Sequence, residues 1–156
     1  MSIYADLDPA FLPLYERCRD ASMTSPERLY ALYKAVEYVC EAGIPGDFVE
    51  CGVWRGGSVM MMAAALRARG VFDRDFWLFD TFEGMSEPTE HDRDIAGRSA
   101  GEMLRGEAKA ETSSIWSFAP IDVVRQNLAR VDYPAARYRF VQGRVEDTIP
   151  ANLPDR

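Results

Sequence analysis

Between Glu50 and Ser58 the sequence reads Glu-Cys-Gly-Val-Trp-Arg-Gly-Gly-Ser. Glycines let a backbone turn tightly and let a ligand come close where a Cβ would otherwise stand. Unpaired N–H groups at the start of a following helix attract an anionic or carboxylate group. Glu50, two positions before Gly52, suits a ligand with a cationic amino-acid part. The spacing is G-x-x-x-G-G, so the dinucleotide fingerprint G-x-G-x-x-G is not met, which disfavours a nicotinamide-dependent enzyme. The same glycines would also serve a tight strand-to-helix turn with no ligand. Asp80 adds a second signal, because an acid at the end of a strand can accept both hydroxyls of a ribose. It could equally cap a local turn with Thr81. Glycine turn and strand-end acid together point to a nucleoside ligand in a crevice at the strand ends.

These residues need elements to hold them. Asp47–Cys51 reads as a short strand, and Ser58 to Arg69 as a helix rich in Met, Ala and Leu. Phe76–Phe79, closing on Asp80, is a continuous apolar run of the kind found in buried parallel strands. Pro120–Val131 is amphipathic at helical spacing, and Tyr138–Gln142 reads as a third strand with a loop beginning at Gly143. Upstream, Thr24-Ser25-Pro26-Glu27 is a helix start: Thr24 as cap, Glu27 completing a capping box, and Pro26 in the first turn. Leu29, Leu32, Tyr33, Val36 and Val39 give that helix an apolar face before Gly43 and Pro45 stop it. Asp8-Pro9 and Pro13 break any long helix in residues 1–23, an N-terminal segment preceding an α/β domain over 24–156. The repeating strand–helix order implies a parallel sheet with right-handed crossovers.

Thr81–Ala119 carries no strand pattern, only a possible helix near Ala100–Ala110. Its length marks a lid-like loop expected to order when ligand binds. Glu83, Glu87, Glu90, His91 and Asp92 on it could touch substrate or metal, although an acid cluster and a lone His in a polar loop also occur as plain solvated surface. Trp116 and Phe118 could pack the lid or a substrate ring.

Composition sets outer bounds. Hydrophobic residues make up 47% of the 156, enough to bury one domain's core, and the net charge of −7 is opposite to that of a nucleic-acid or anionic-membrane binder. The longest apolar stretch, Val59–Leu66, is too short to cross a bilayer. The acidic N-terminus does not have the order of a signal peptide. Cys18, Cys40 and Cys51 show no C-x-x-C spacing, so a disulfide framework or zinc site is not expected and reduced thiols in the cytoplasm are.

The segments MTSPERLYALYKAVEYV, IPGDFVECGVWRGGS, LFDTFEGMSEPTEHD and FVQGRVEDTIP resemble the macrocin O-methyltransferase (TylF/MycF-type) family over about Met23–Pro150. The resemblance implies a Rossmann-like class I methyltransferase fold. It also implies S-adenosylmethionine and Mg²⁺ as cofactors, and methyl transfer to a hydroxyl of a sugar or other natural product. By it, Glu50, Gly52, Gly56, Gly57 and Ser58 surround the methionine part of the cofactor. Asp80 and Thr81 meet the ribose, and Gly143, Val145 and Glu146 border the adenine. Arg144 stands where many methyltransferases place an acid, so the Val145 backbone is the expected adenine contact. Glu83, Glu90 and His91 fall on the loop over the active site.

The resemblance further implies a second half with an acidic strand end and an Asp-Asp pair that hold Mg²⁺ through hard oxygen ligands. No such pattern occurs in this chain, so catalytic and metal residues are expected beyond Arg156, and the fold is expected to stop after its third parallel strand. Such a chain alone is expected to be poorly stable and inactive, and to be a homo-oligomer or a self-associating fragment through its open strand. The other reading is a non-catalytic nucleoside or S-adenosylmethionine-binding module.

Overall fold

A computed structural model describes residues 6–110 and 115–154. Three parallel strands form one sheet in the order β1 (Phe48–Cys51), β2 (Phe76–Asp80), β3 (Tyr138–Gln142). Phe48, Phe76 and Tyr138 stand in register, as do Glu50, Leu78 and Phe140. Side chains alternate across a strand, so these six share one face. The Phe48 and Phe76 rings lie 5.4 Å apart, and those of Phe76 and Tyr138 5.6 Å. Glu50 therefore points to the core side of β1, whereas Val49 on the opposite face is 46% exposed. Among the described residues β1 pairs only with β2, which leaves its outer edge open.

Before the sheet come α1 (Phe11–Cys18) and α2 (Pro26–Glu41); α3 (Gly57–Ala68) follows β1. Nine residues of α3, from Gly57 to Leu66, are buried, and both α1 and α2 pack on it. An all-round apolar helix is what the Met-Ala-Leu run demands. Pro13 sits in the first turn of α1, where a missing N–H does no harm. Phe11, Tyr15, Cys18 and Ala21 all belong to the main core. Burial pushes the Cys18 thiol up to about 12, against opposing pulls from Arg130 and Arg17.

Glu37 is the buried acid of α2. Burial raises its pKa, but hydrogen bonds from Lys34, from Arg69 just after α3 (2.5 Å) and from Tyr33 outweigh that and bring it to about 2.

Three local expectations are corrected. Thr24 does not cap α2: Ser25 is the cap residue, with no side-chain cap bond, and the Thr24 hydroxyl lies 2.9 Å from Ser22 Oγ. A residue before proline is pushed to extended backbone, and Ser25 at φ −69°, ψ 160° takes the cap position on that ground. The helix near Ala100–Ala110 is shorter, α4 spanning Ala100–Arg105 and stopping at Gly106. The segment after Gly143 is not a loop but a further helix, α6 (Val145–Asn152), which follows α5 (Ile121–Ala129) and packs on β2 and β3. Glu146 and Asp147 in its first turn suit a helix N-terminus.

Candidate functional site

The turn from β1 to α3 is held open by bonds from remote parts of the chain. Asp80, last residue of β2, accepts the Val53 N–H at 2.6 Å and the Trp54 N–H at 3.2 Å on Oδ2, and the Phe82 N–H at 2.7 Å on Oδ1. Both lone pairs of Oδ2 are thereby used, and the Thr81 hydroxyl also lies 3.5 Å from Oδ1. Asn127 of α5 donates to the Arg55 carbonyl at 2.9 Å, and Arg55 donates to the Asp20 carbonyl at 3.2 Å. Trp54 adopts φ 47°, a left-handed conformation costly for an L-residue. The Asp80 bond to its N–H helps hold that strain.

The three glycines of the turn differ. Gly52 has φ +84° and open space where a Cβ would point; Gly56 (φ +87°) lies against Val124 of α5 at 3.1 Å; a Cβ on Gly57 would meet the Ala21 carbonyl oxygen at 2.5 Å. Only Gly52 combines left-handed backbone with free space, as a ligand-facing position would. Gly56 lines neither cavity described below.

Glu50 is the most perturbed acid of the site. Burial and the neighbouring Asp80 charge push its carboxyl up to about 7, although the Ser58 side chain and the Val59 backbone N–H bond to it. Its Oε2 is buried without a hydrogen-bond partner.

Two cavities open at the carboxyl ends of the strands. The larger, about 440 Å³, has Gly52, Trp54, Asp80 and Thr81 on one side and Gly143, Val145 and Glu146 on the other. The smaller, about 160 Å³, is lined by residues 21–24, Glu50, Gly57 and Ser58, and shares Met23, Gly52 and Trp54 with the larger. The structure thus gathers every candidate except Gly56 from the turn, the β2 end and the β3 end. Parallel strands bring their carboxyl ends to one edge, which is why residues so far apart in sequence meet. Arg144 pairs with Glu146 at 3.2 Å.

The loop candidates lie elsewhere. Glu83, Glu90 and His91 are exposed and line neither cavity; His91 Nε2 is 3.7 Å from Glu90 Oε1, both side chains being open to solvent. Met85 and Ser86 instead border both the larger cleft and a further hollow of about 380 Å³ under residues 87–104. Residues 111–114 of the lid-like loop lie outside the described residues. Met23, Ser22 and Thr24, which line the smaller cavity, carried no chemical signal of their own, since their only visible pattern was that of a helix start.

A parallel sheet with a glycine turn, a strand-end acid and a cleft across its carboxyl edge is a Rossmann-like α/β binding domain. The sequence profile of macrocin-O-methyltransferase (TylF) matches residues 18–156. The chain belongs to the macrocin O-methyltransferase family. Over 145 residues it is 36% identical to 8-demethyl-8-(2,3-dimethoxy-alpha-L-rhamnosyl)-tetracenomycin-C 4'-O-methyltransferase of Streptomyces olivaceus, covering 93% of this chain and 52% of that one. It is 34% identical over 129 residues to demethyldecarbamoylnovobiocin O-methyltransferase of Streptomyces niveus, covering 83% and 46%. The solved O-methyltransferase NovP superposes with a TM-score of 0.65 at 32% identity, covering 85% of this chain and 51% of NovP. The chain therefore spans about half the length of the relatives it matches.

Proposed function

We propose that this chain is the methyl-donor-binding part of an S-adenosylmethionine-dependent O-methyltransferase, acting on a hydroxyl of a sugar or other natural-product acceptor. The observation that supports it best is the pair of joined cavities at the strand ends, with an unpartnered Glu50 oxygen in one and Asp80 in the other. In this reading Glu50, Gly52, Gly57 and Ser58 hold the methionine end and Gly56 keeps the turn's shape from behind. Asp80 and Thr81 reach the ribose, and Gly143, Val145 and Glu146 edge the adenine. The relatives' names describe methylation of small natural products, and the acceptor proposed here is of that class. When bound, the donor supplies a sulfonium-activated methyl: an acceptor oxygen bonds to that carbon, the S–C electron pair stays on sulfur, and the hydroxyl proton leaves to a base.

Mg²⁺ does not fit the residues in hand. Among the described residues no group of three or more His, Cys, Asp or Glu side chains comes together to hold a metal ion. We assign neither metal nor base to this chain, and place both with residues outside it. Residues 81–119 act as a lid over the cleft, with Met85 and Ser86 at its hinge side. The open edge of β1, beside exposed Val49, is the surface for self-association. Three free cysteines, one exposed, fit a reducing cytoplasm, and no described helix is long and apolar enough to cross a membrane.

Calorimetry with S-adenosylhomocysteine and with NAD tests the donor assignment: binding of the first and not the second is expected, and the reverse sinks it. The competing reading, a binding module without catalysis, shares the same cleft. It wins if a longer form of the protein binds S-adenosylhomocysteine yet transfers no methyl to any hydroxylated acceptor in the presence of Mg²⁺.

A further inference from the structure

Two hollows flank α4, and both share Met85 and Ser86 with the larger cleft. The one of about 380 Å³ has Asp92 and Asp94 on its rim, and both acids are occupied: Asp92 accepts from the Thr89 N–H, and Asp94 pairs with Arg98 at 2.7 Å. The other, of about 410 Å³, carries Arg105 and Lys109 beside Trp116, with Glu87 as its one acid among the described residues. The chain as a whole has a net charge of −7, so a hollow with two cations against one acid runs against its sign and attracts anions. Both cations are held in place without being neutralised. The Lys109 ammonium stands 5.4 Å from the Trp116 ring centre and 5.2 Å from that of Phe118, and the Trp116 indole donates to the Glu107 carbonyl at 2.8 Å. Aromatic faces attract an ammonium yet leave its N–H groups able to meet an acceptor. Arg105 lies back over Gly101, one turn earlier on α4, where a Cβ would stand 3.3 Å from its Nη1. The other cations of residues 93–109 are engaged, Arg93 with the Gly97 carbonyl and Arg98 with Asp94. Arg105 and Lys109 pair with no carboxylate among the described residues.

We propose that this hollow binds an acidic group of the acceptor, a carboxylate or phosphate, through Arg105 and Lys109, so that the hydroxyl to be methylated belongs to a negatively charged molecule. The assignment rests on the methyl-transfer reading above and narrows its substrate class. Arg105 supplies a planar fork of donors and Lys109 a compact charge, a pair suited to an oxyanion. Pro88, Leu104 and Trp116 give the hollow an apolar wall for the body of the molecule. Glu87 on the rim can accept from a hydroxyl of the same molecule. Met85 and Ser86, common to hollow and cleft, mark where the acceptor crosses toward the methyl donor.

The test uses three probes with the same aromatic group and sugar ring: p-nitrophenyl glucoside, its glucuronide, and its glucoside phosphate ester on the primary hydroxyl. They present a neutral hydroxymethyl, a carboxylate and a phosphate at one position. Binding is measured by NMR titration to the 156-residue chain and to its Arg105→Gln/Lys109→Gln variant, with S-adenosylhomocysteine present and absent. The parent is expected to bind at least one acidic probe about fivefold or more tighter than the neutral one, and which of the two it prefers tells carboxylate from phosphate. In the Gln variant that preference is expected to fall below about twofold, with S-adenosylhomocysteine binding unchanged. The charge-keeping Arg105→Lys/Lys109→Arg variant is expected to retain most of it. Acidic probes that bind the parent no tighter than the neutral one, or not at all, overturn the assignment and leave the donor reading standing. So does a Gln variant that keeps the preference, or a charge-keeping variant that loses it as fully, since packing and not charge would then be at work. Displacement of the acidic probe by S-adenosylhomocysteine also overturns it, because the acid would then sit in the donor's cleft. Failure of the parent to bind S-adenosylhomocysteine refutes the donor reading itself, and this assignment with it.

Discussion

The turn at Glu50–Ser58 and the excursion at Met85–Arg105 are both irregular in sequence, yet they are held in opposite ways. Beside its own Gly56 N–H to Val53 carbonyl bond at 2.9 Å, the turn is tied by bonds from far along the chain, to Asp80, Asn127 and the Asp20 carbonyl. The excursion, anchored at its start by the Met85 N–H bond to the Trp116 carbonyl at 2.8 Å, is otherwise held largely by bonds within itself. Asp92 accepts from the Thr89 N–H and hydroxyl, Asp94 accepts from the Ala96 and Arg98 N–H groups, and Arg93 donates to the Gly97 carbonyl. At its tip Ile95 stands fully out in solvent. A loop tied down at long range is fixed by the fold and is ready for a ligand before one arrives. A loop tied mostly to its neighbours can shift as a unit while breaking few of its own bonds, as a lid must. Of the acids of the excursion that looked like candidate ligands in sequence, Asp92 is spent on this local bonding.

Substitutions can break this contrast, and the largest effect is expected at Gly57. Gly57→Ala puts a Cβ against backbone at 2.5 Å, which forces α3 and the 21–24 segment apart. We expect a loss of about 3 kcal/mol or more in denaturant unfolding, in the upper range for overpacking. A cost below about 1 kcal/mol would show that the segment gives way easily.

Asp80→Ala comes next. It orphans the N–H groups of Val53, Trp54 and Phe82 together and frees the strained Trp54. A loss of about 2–3 kcal/mol in stability is expected, with weakened S-adenosylhomocysteine binding. Full stability in this variant would mean that the turn stands without its long-range latch.

The third concerns pH. Folded Glu50 titrates near 7 against an ordinary 4.5, so the folded chain holds a proton that the unfolded chain releases. Stability is then full below about 4.5, falls as pH rises through that window, and stays lower above 7. Glu50→Gln removes this loss, so the ligand-free variant should melt higher than the parent at pH 8, by order of 2 kcal/mol, and about equally at pH 4.5. Its S-adenosylhomocysteine binding at pH 8 should nonetheless be weaker. Parallel melting curves across pH would remove Glu50 from the buried site.

The smallest effect is expected at Gly97 in the excursion. A Cβ there meets nothing, and only the φ of +79° opposes it. Gly97→Ala should cost about 1 kcal/mol and leave ligand binding unchanged. A cost matching that of Gly57→Ala would erase the distinction between the two loops.

Much of the fold was legible because it is local in origin. The apolar run Phe76–Phe79 had to be a buried strand, the Met-Ala-Leu run of α3 a buried helix, and the glycines between them a turn. Their order implied a parallel sheet, and a parallel sheet brings the glycine turn, Asp80 and Gly143 to one edge. The sequence by itself therefore determined where the cleft lies and which acids flank it. Tertiary structure alone decided the rest. Asp80 spends most of its capacity on Val53, Trp54 and Phe82, and Glu50 lies on the core face with one oxygen unmatched. Ser22 and Thr24 close the smaller cavity, and Gly57 is glycine because Ala21 lies against it. α6 forms on β2 and β3 despite a weak apolar repeat. Periodicity and propensity describe a residue's neighbours along the chain. Which distant group fills a lone pair, or occupies the space beside a glycine, is set only when the elements pack.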